Sequence, residues 1–160
     1  MKHNKRYLLA LHSSTNDLGV AVLDLKDENK RIKSSVFTTG RQLSNNLFKN
    51  VECLLPKEKW YEIARLAVAT GPGSFTGTRL SLVMARTLAQ QIDCPLDGIS
   101  SFALMAPRLS AKLNANETKN PFWITQALSR KGIIAGKYQI IKLGKDEKKR
   151  TIEITKPYLL

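Results

Sequence analysis

The chain has 160 residues, with 26 Lys and Arg against 13 Asp and Glu, a net charge of +13, and two cysteines. That length holds one sizeable core, or one and a half small lobes, without covalent staples. Cys53 and Cys94 form no C-x-x-C pair, no apolar run is long enough to span a bilayer, and the apolar run 7–11 after the basic start is too short for the core of a signal peptide, so a reducing cytoplasm is the expected setting.

Residues 7–12 predict a buried strand, and the small hydrogen-bonding side chains Ser13, Ser14, Thr15, Asn16 and Asp17 predict a turn after it. Residues 19–25 and 32–38 predict two more strands, separated by a polar turn, to give an antiparallel meander. Leu43, Leu47, Val51 and Leu54 recur at helical spacing, widened by Phe48 and Leu55, and Pro56 closes that helix. A compact apolar strand at 66–70 empties into the glycine-rich stretch 71–77, which opens a helix to about residue 91. Leu80, Val83, Met84 and Leu88 make one face of this helix, and Gly77, Ser81, Ala85 and Ala89 make a second stripe of small residues, which predicts packing on two sides.

A short strand at 96–99 follows, then a helix capped by Ser100 or Ser101 and interrupted by Pro107. The polar stretch 114–121 is the best linker, dividing a lobe over 1–112 from a second over 121–160. The second holds three strand-like runs, at 122–128, 133–143 and 151–155, and no clear helix. Charge gathers at the chain ends, late in the sequence at Arg130, Lys131, Lys137, Lys142, Lys145, Lys148, Lys149 and Arg150. Such an excess fits a polyanionic partner such as RNA about as well as a solvated basic surface. Tyr138 is the one aromatic interleaved with those charges, poor support for a site that stacks single-stranded bases.

The glycine-rich loop matches neither common phosphate motif. Five residues separate Gly71 from Gly77 and Thr78-Arg79 follows, where a Walker loop needs four and then Lys-Ser/Thr; a dinucleotide fingerprint would need Gly at Thr76. Two uses stay open: an anion or nucleotide loop built on Gly71, Gly73, Ser74 and Arg79, or a structural turn that seats a tightly packed helix.

The element order β-β-β-α-β-α-β-α predicts an α/β fold, a mixed sheet with flanking helices, as in the ribonuclease-H-like (actin-like) lobe of actin and sugar kinases. The residues narrow this. The segment 9–15 followed by Val20-Ala21-Val22, the run Gly71-Pro72-Gly73-Ser74-Phe75-Thr76-Gly77-Thr78-Arg79-Leu80, and Gly98-Ile99-Ser100-Ser101 resemble the TsaB (YeaZ) family over roughly residues 7–110. The resemblance implies a noncatalytic partner of a TsaD-like enzyme in making threonylcarbamoyladenosine on tRNA. It implies an interface of two helices carrying Leu43, Leu47, Val51, Ser74, Phe75, Gly77, Thr78, Ser81, Ala85 and Ala89. Further implied partners are a TsaE-like ATPase, tRNA through the complex and a second copy of the chain, with no membrane. No resident cofactor or metal is expected, although ATP or ADP at the partner seam stays open. The chain is also short for that family, which implies a reduced or truncated second lobe.

Departures from the family pattern bear on chemistry. His12-Ser13 stands where the family's first strand usually ends in Asp-Thr, and an imidazole lacks the oxygens that Mg²⁺ prefers. Leu43 replaces a frequent His, Lys49 a usual Pro, and Leu128-Ser129-Arg130 an Asp-Ala-Arg segment. An alternative is a glycoprotease-like metallopeptidase or ATP-dependent enzyme, but His3 and His12 are nine apart and form no His-x-x-x-His pair. A self-associating structural homodimer is the other alternative. No catalytic residue is expected.

Overall fold

The computed structural model describes residues 5–113, 120–128, 132–143 and 148–160. The chain divides into two compact units, Met1–Ile99 and Ser100–Leu160. The first runs through β1 (Tyr7–His12), β2 (Asp17–Asp24), β3 (Ile32–Thr38), α1 (Leu43–Glu52), β4 (Ile63–Ala69), α2 (Phe75–Gln91) and β5 (Leu96–Ile99). Its sheet has the order β3-β2-β1-β4-β5. The meander β1 to β3 is antiparallel, and β4 and β5 add in parallel after helical crossovers. This is the mixed ribonuclease-H-like sheet expected from the element order.

Alternation along the strands decides which face is core. Leu9, Leu11, Val20, Val22, Leu66 and Val68 are buried on one face and cluster with Leu47 and Val51 of α1 and Met84 and Ala85 of α2. On the other face Leu8, Ala21, Leu23 and Ala67 line a shallow groove of about 300 Å³ that reaches Arg65 and Asp97. Those two form a bidentate ion pair across β4 and β5.

Helix α2 lies unusually close to β1, and its sequence shows why. A Cβ on Gly77 would stand 2.4 Å from the Ser13 carbonyl oxygen, and one on Gly73 would stand 2.3 Å from that of Ser14. Neither approach is open to any other residue. Buried Ser13 then donates its hydroxyl to the Gly77 carbonyl at 2.8 Å and is hydrogen-bonded to Ser81 Oγ at 2.7 Å. The Ser74 N–H donates to the Ser14 carbonyl at 2.6 Å. Hydrogen bonds thus satisfy polar groups that such close packing removes from water.

The second unit holds α3 (Ser101–Ser110), β6 (Phe122–Leu128), β7 (Gly132–Leu143) and β8 (Lys148–Leu159), the strands forming an antiparallel sheet in chain order. Phe102 and Ala106 of α3 pack with Ile124 and Tyr138. By contact this helix belongs to the second unit, whereas the division at 1–112 and 121–160 assigns it to the first. The expected linker at 114–121 lies largely outside the described residues, as do Ser129, Arg130, Lys131 and Lys145. Strand β8 runs well beyond the expected 151–155, and it absorbs Pro157 in a bulge opposite Gly136, between the Ala135–Tyr158 and Lys137–Thr155 pairs, where no ladder N–H is required.

A single chain of hydrogen bonds ties this unit together. Tyr138, fully buried, donates its hydroxyl to Glu153 Oε2 at 3.0 Å. Its proton being committed, the hydroxyl of Ser100, 3.2 Å away, donates to the phenol oxygen, while Ser100 Oγ caps α3 at the Ala103 N–H. Burial, helped by the Glu153 carboxylate and opposed by Ser100, pushes the phenol up to about 12.

Two consequences are measurable. Gly77→Ala should lower stability by roughly 3 kcal/mol, because the Cβ meets backbone that cannot swing aside, and should lower Tm by about 6–12 °C. Gly19→Ala, whose Cβ would meet only ordinary contacts of 3.6 and 3.7 Å, should be nearly neutral in the same thermal scan. Because the folded Tyr138 pKa lies above the unfolded value near 10, its contribution is complete below pH 10 and is lost as pH rises through about 12. Tyr138→Phe should therefore flatten the alkaline limb of a stability-against-pH curve, and an unchanged limb would contradict the assignment.

Candidate functional site: the glycine loop and the outer face of the second helix

The loop that leaves β4 is held by its own backbone. Thr70 donates its N–H to the Ile99 carbonyl at 2.9 Å, Gly71 adopts φ +93° before a cis Pro72, and Ser74 caps α2 by accepting from the Gly77 N–H at 3.3 Å. The Thr78 N–H donates to the Ser74 carbonyl. The amides of Ser74, Gly77 and Thr78 thus all point at protein acceptors. These bonds seat the start of α2 on the turn after β1.

Beside the loop, a cleft of about 600 Å³ lies between the turn after β1, the start of α1 and the start of α2. Hydroxyls of Thr15, Ser44, Ser74 and Thr76 and the Asn16 amide rim it, with Leu43 and Leu80 below. Of the residues expected to form an anion loop, Ser74 lines this cleft, whereas Gly71, Gly73 and Arg79 do not. The buried Thr78 hydroxyl has no hydrogen-bond partner among the described residues.

The His12 and Ser13 side chains, though consecutive, face opposite ways. His12 lies on the open sheet face across from Gly19, half-buried, and burial pushes its imidazole below the ordinary value toward the neutral form. Ser13 is turned the other way, into α2. The pair therefore forms no nucleophile–base arrangement. Among the described residues, no group of three or more His, Cys, Asp or Glu side chains is placed to share a metal ion, and no helix is long and apolar enough to cross a membrane.

The interface expected from the small stripe needs correction. Gly77, Ser81, Ala85 and Ala89 are buried in the first unit, as are Leu43, Leu47 and Val51 of α1. Their small size and apolar character serve the approach to β1 and the core, and of this set only Leu43 and Gly77 reach a surface, where they line the cleft beside the loop. Val83, expected on the apolar inner face, is 63% exposed instead. The outer face of α2 is a different stripe: Phe75, 70% exposed, then Arg79, Val83 and Arg86 at successive turns. Arg79 lies over the Phe75 ring at 4.0 Å from its centroid, a cation–π contact. Ser74 and Thr78 are half-buried at the base of this stripe. On α1, exposed Phe48 stacks on Trp60 with ring centroids 6.1 Å apart. Sequence reasoning missed the roles of Ser14 and Val83; the signal for Val83 was its place two residues from Ala85, on the opposite side of the helix.

Known proteins agree with this architecture. The solved structure of YeaZ from Pseudomonas aeruginosa superposes with a TM-score of 0.73 at 24% identity, covering 97% of this chain and 67% of that one. The tRNA threonylcarbamoyladenosine biosynthesis protein TsaB of Bacillus subtilis is 31% identical over 101 residues, 62% of this chain and 43% of that protein. A Mycoplasma pneumoniae protein, described as the uncharacterized MG208 homolog, is 29% identical over 125 residues, 75% of this chain and 63% of its own length. The chain thus spans less than two thirds of the length of the curated relatives it matches. The family model for TsaD, tRNA N6-adenosine threonylcarbamoyltransferase, matches residues 38–149. With more than half of its residues inside that model, the chain belongs to the TsaD family.

Proposed function

We propose that the chain is a noncatalytic docking subunit in tRNA threonylcarbamoyladenosine biosynthesis, pairing with a TsaD-type enzyme. The outer face of α2 carries this reading. Phe75 and Val83 expose apolar surface on a helix whose inner face is already used, and Arg79 and Arg86 flank them. Aromatic and arginine side chains on a rigid element are the residue types that dominate protein interfaces. The name of the Bacillus subtilis relative supplies the pathway. The cleft beside the loop is rimmed by hydroxyl and amide groups, which hold a partner segment or nucleotide by hydrogen bonds rather than transfer protons.

The test is light-scattering mass after size exclusion, on the chain alone and mixed with the TsaD-type protein of the same source. A one-to-one complex is expected, weakened at least tenfold by Val83→Arg, with the far-UV circular dichroism of that variant unchanged because the side chain is exposed. Separate elution of the two folded proteins would refute the proposal. A chain that is dimeric alone and becomes monomeric on Val83→Arg would assign this face to a second copy instead.

A further inference from the structure

The second unit carries a surface that the sequence conceals. In β6, Trp123 lies opposite Lys137 of β7, which in turn lies opposite Thr155 of β8. Two residues along β7, Ala135 lies opposite Tyr158. These positions share the sheet face turned away from Ile124, Gly136 and Tyr138, which pack toward α3. Outer strands of a three-stranded sheet are about 9–10 Å apart, yet the Trp123 and Tyr158 rings meet edge-on with centroids 6.4 Å apart. The two rings therefore lean toward each other over the small, buried Ala135. Both remain accessible, Trp123 at 49% and Tyr158 at 44%.

Cations accompany the rings. The Lys137 ammonium sits 5.6 Å from the Trp123 ring centroid. Arg150, exposed, lies opposite Ile141 on the same face, about 13 Å farther along the sheet at 3.3 Å per residue. Residues 100–160 hold twelve Lys and Arg against four Asp and Glu, a net charge of +8. Two accessible aromatic rings on a rigid sheet, a lysine resting on one of them and a strong positive charge are the elements of a platform for unpaired nucleic-acid bases. A membrane or an acidic protein would satisfy the charge and bury the rings as apolar area, whereas an unpaired base stacks on the rings while its own phosphate meets the cations.

We propose that the outer face of β6-β7-β8 binds unpaired RNA, with a base stacked on the Trp123–Tyr158 pair and phosphates held by Lys137 and Arg150. The choice of RNA rests on the tRNA-modification reading; the site itself does not depend on the TsaD-type partner. When a base takes the indole face, the Lys137 ammonium exchanges a ring for a phosphate, so stacking and charge pairing occur together. The sequence does not show this pair, because Trp123 and Tyr158 are far apart in the chain and adjacent only in the sheet.

Fluorescence anisotropy with a labelled RNA hairpin bearing an unpaired loop, and with the fully paired duplex of its stem, tests this on the whole chain. The hairpin should bind more tightly than the duplex. Trp123→Ala and Tyr158→Ala should each weaken hairpin binding about tenfold, Trp123→Phe should restore most of it, and Lys137→Gln should reduce the slope of log affinity against log salt by about 0.7. Equal binding of hairpin and duplex, with Trp123→Ala and Trp123→Phe both indistinguishable from the parent, would leave charge alone and overturn the platform. Loss of self-association in Trp123→Ala, with RNA binding unchanged, would make the face an interface between copies and also overturn it. Val83→Arg should bind the hairpin normally, and Trp123→Ala should still join the TsaD-type enzyme, so either proposal can fail without the other.

Discussion

The approach of α2 to β1 is the constraint on which the first unit depends. A helix normally stands off a sheet by the length of its side chains. Here Gly77, Ser81 and Ala85 remove most of that spacing, and Gly73 lets the loop before the helix settle on Ser14. Such closeness strips water from backbone carbonyls, so it is stable only because Ser13 and Ser81 supply hydroxyls at the same points. The turn after β1, the glycine loop and the start of α2 consequently form one rigid body. Its rigidity fixes both the cleft beside the loop and the direction in which Phe75 and Val83 project.

The same seating separates the two candidate reactive neighbours at the end of β1. Ser13 is drawn into the helix by its hydrogen bonds, and the alternation of the strand then sends His12 to the other face. A half-buried neutral imidazole there is compatible with an apolar sheet surface, where an aspartate would need a cation to offset its burial. His12 thus suits this end of the strand to packing. The second unit obtains its rigidity differently, from the relay Ala103, Ser100, Tyr138 and Glu153 that ties the start of α3 to two strands.

Much of the first unit was legible because a continuous apolar run marks 7–11 and apolar residues recur at helical spacing over 43–52 and 75–91. The faces of α2 were not. A stripe of small residues predicts close packing without saying whether the neighbour is the chain's own sheet or another molecule. The deciding fact was the position of Ser13, which lies more than sixty residues earlier and meets Gly77 and Ser81 only in the fold. Likewise Lys148–Leu159 reads poorly as a strand, being lysine-rich and containing Pro157, and it becomes one because β7 offers a partner and bulges absorb the mismatch. Pairings between distant segments are invisible to a local pattern, and the Trp123–Tyr158 pair was hidden for the same reason.

The two exposed surfaces differ in the physics by which they would hold a partner, and ionic strength separates them. Phe75 and Val83 offer apolar area, whose burial is little affected by moderate salt, and the Arg79 guanidinium already rests on Phe75. Trp123 and Tyr158 offer stacking, but Lys137 and Arg150 make RNA capture a matter of counterion release, which weakens steeply as salt rises. An assembly using both would lose RNA from the second unit before it lost a protein from the outer face of α2. A chain whose charge is spread evenly could not divide its partners in this way; with +8 of the +13 in residues 100–160, this one can.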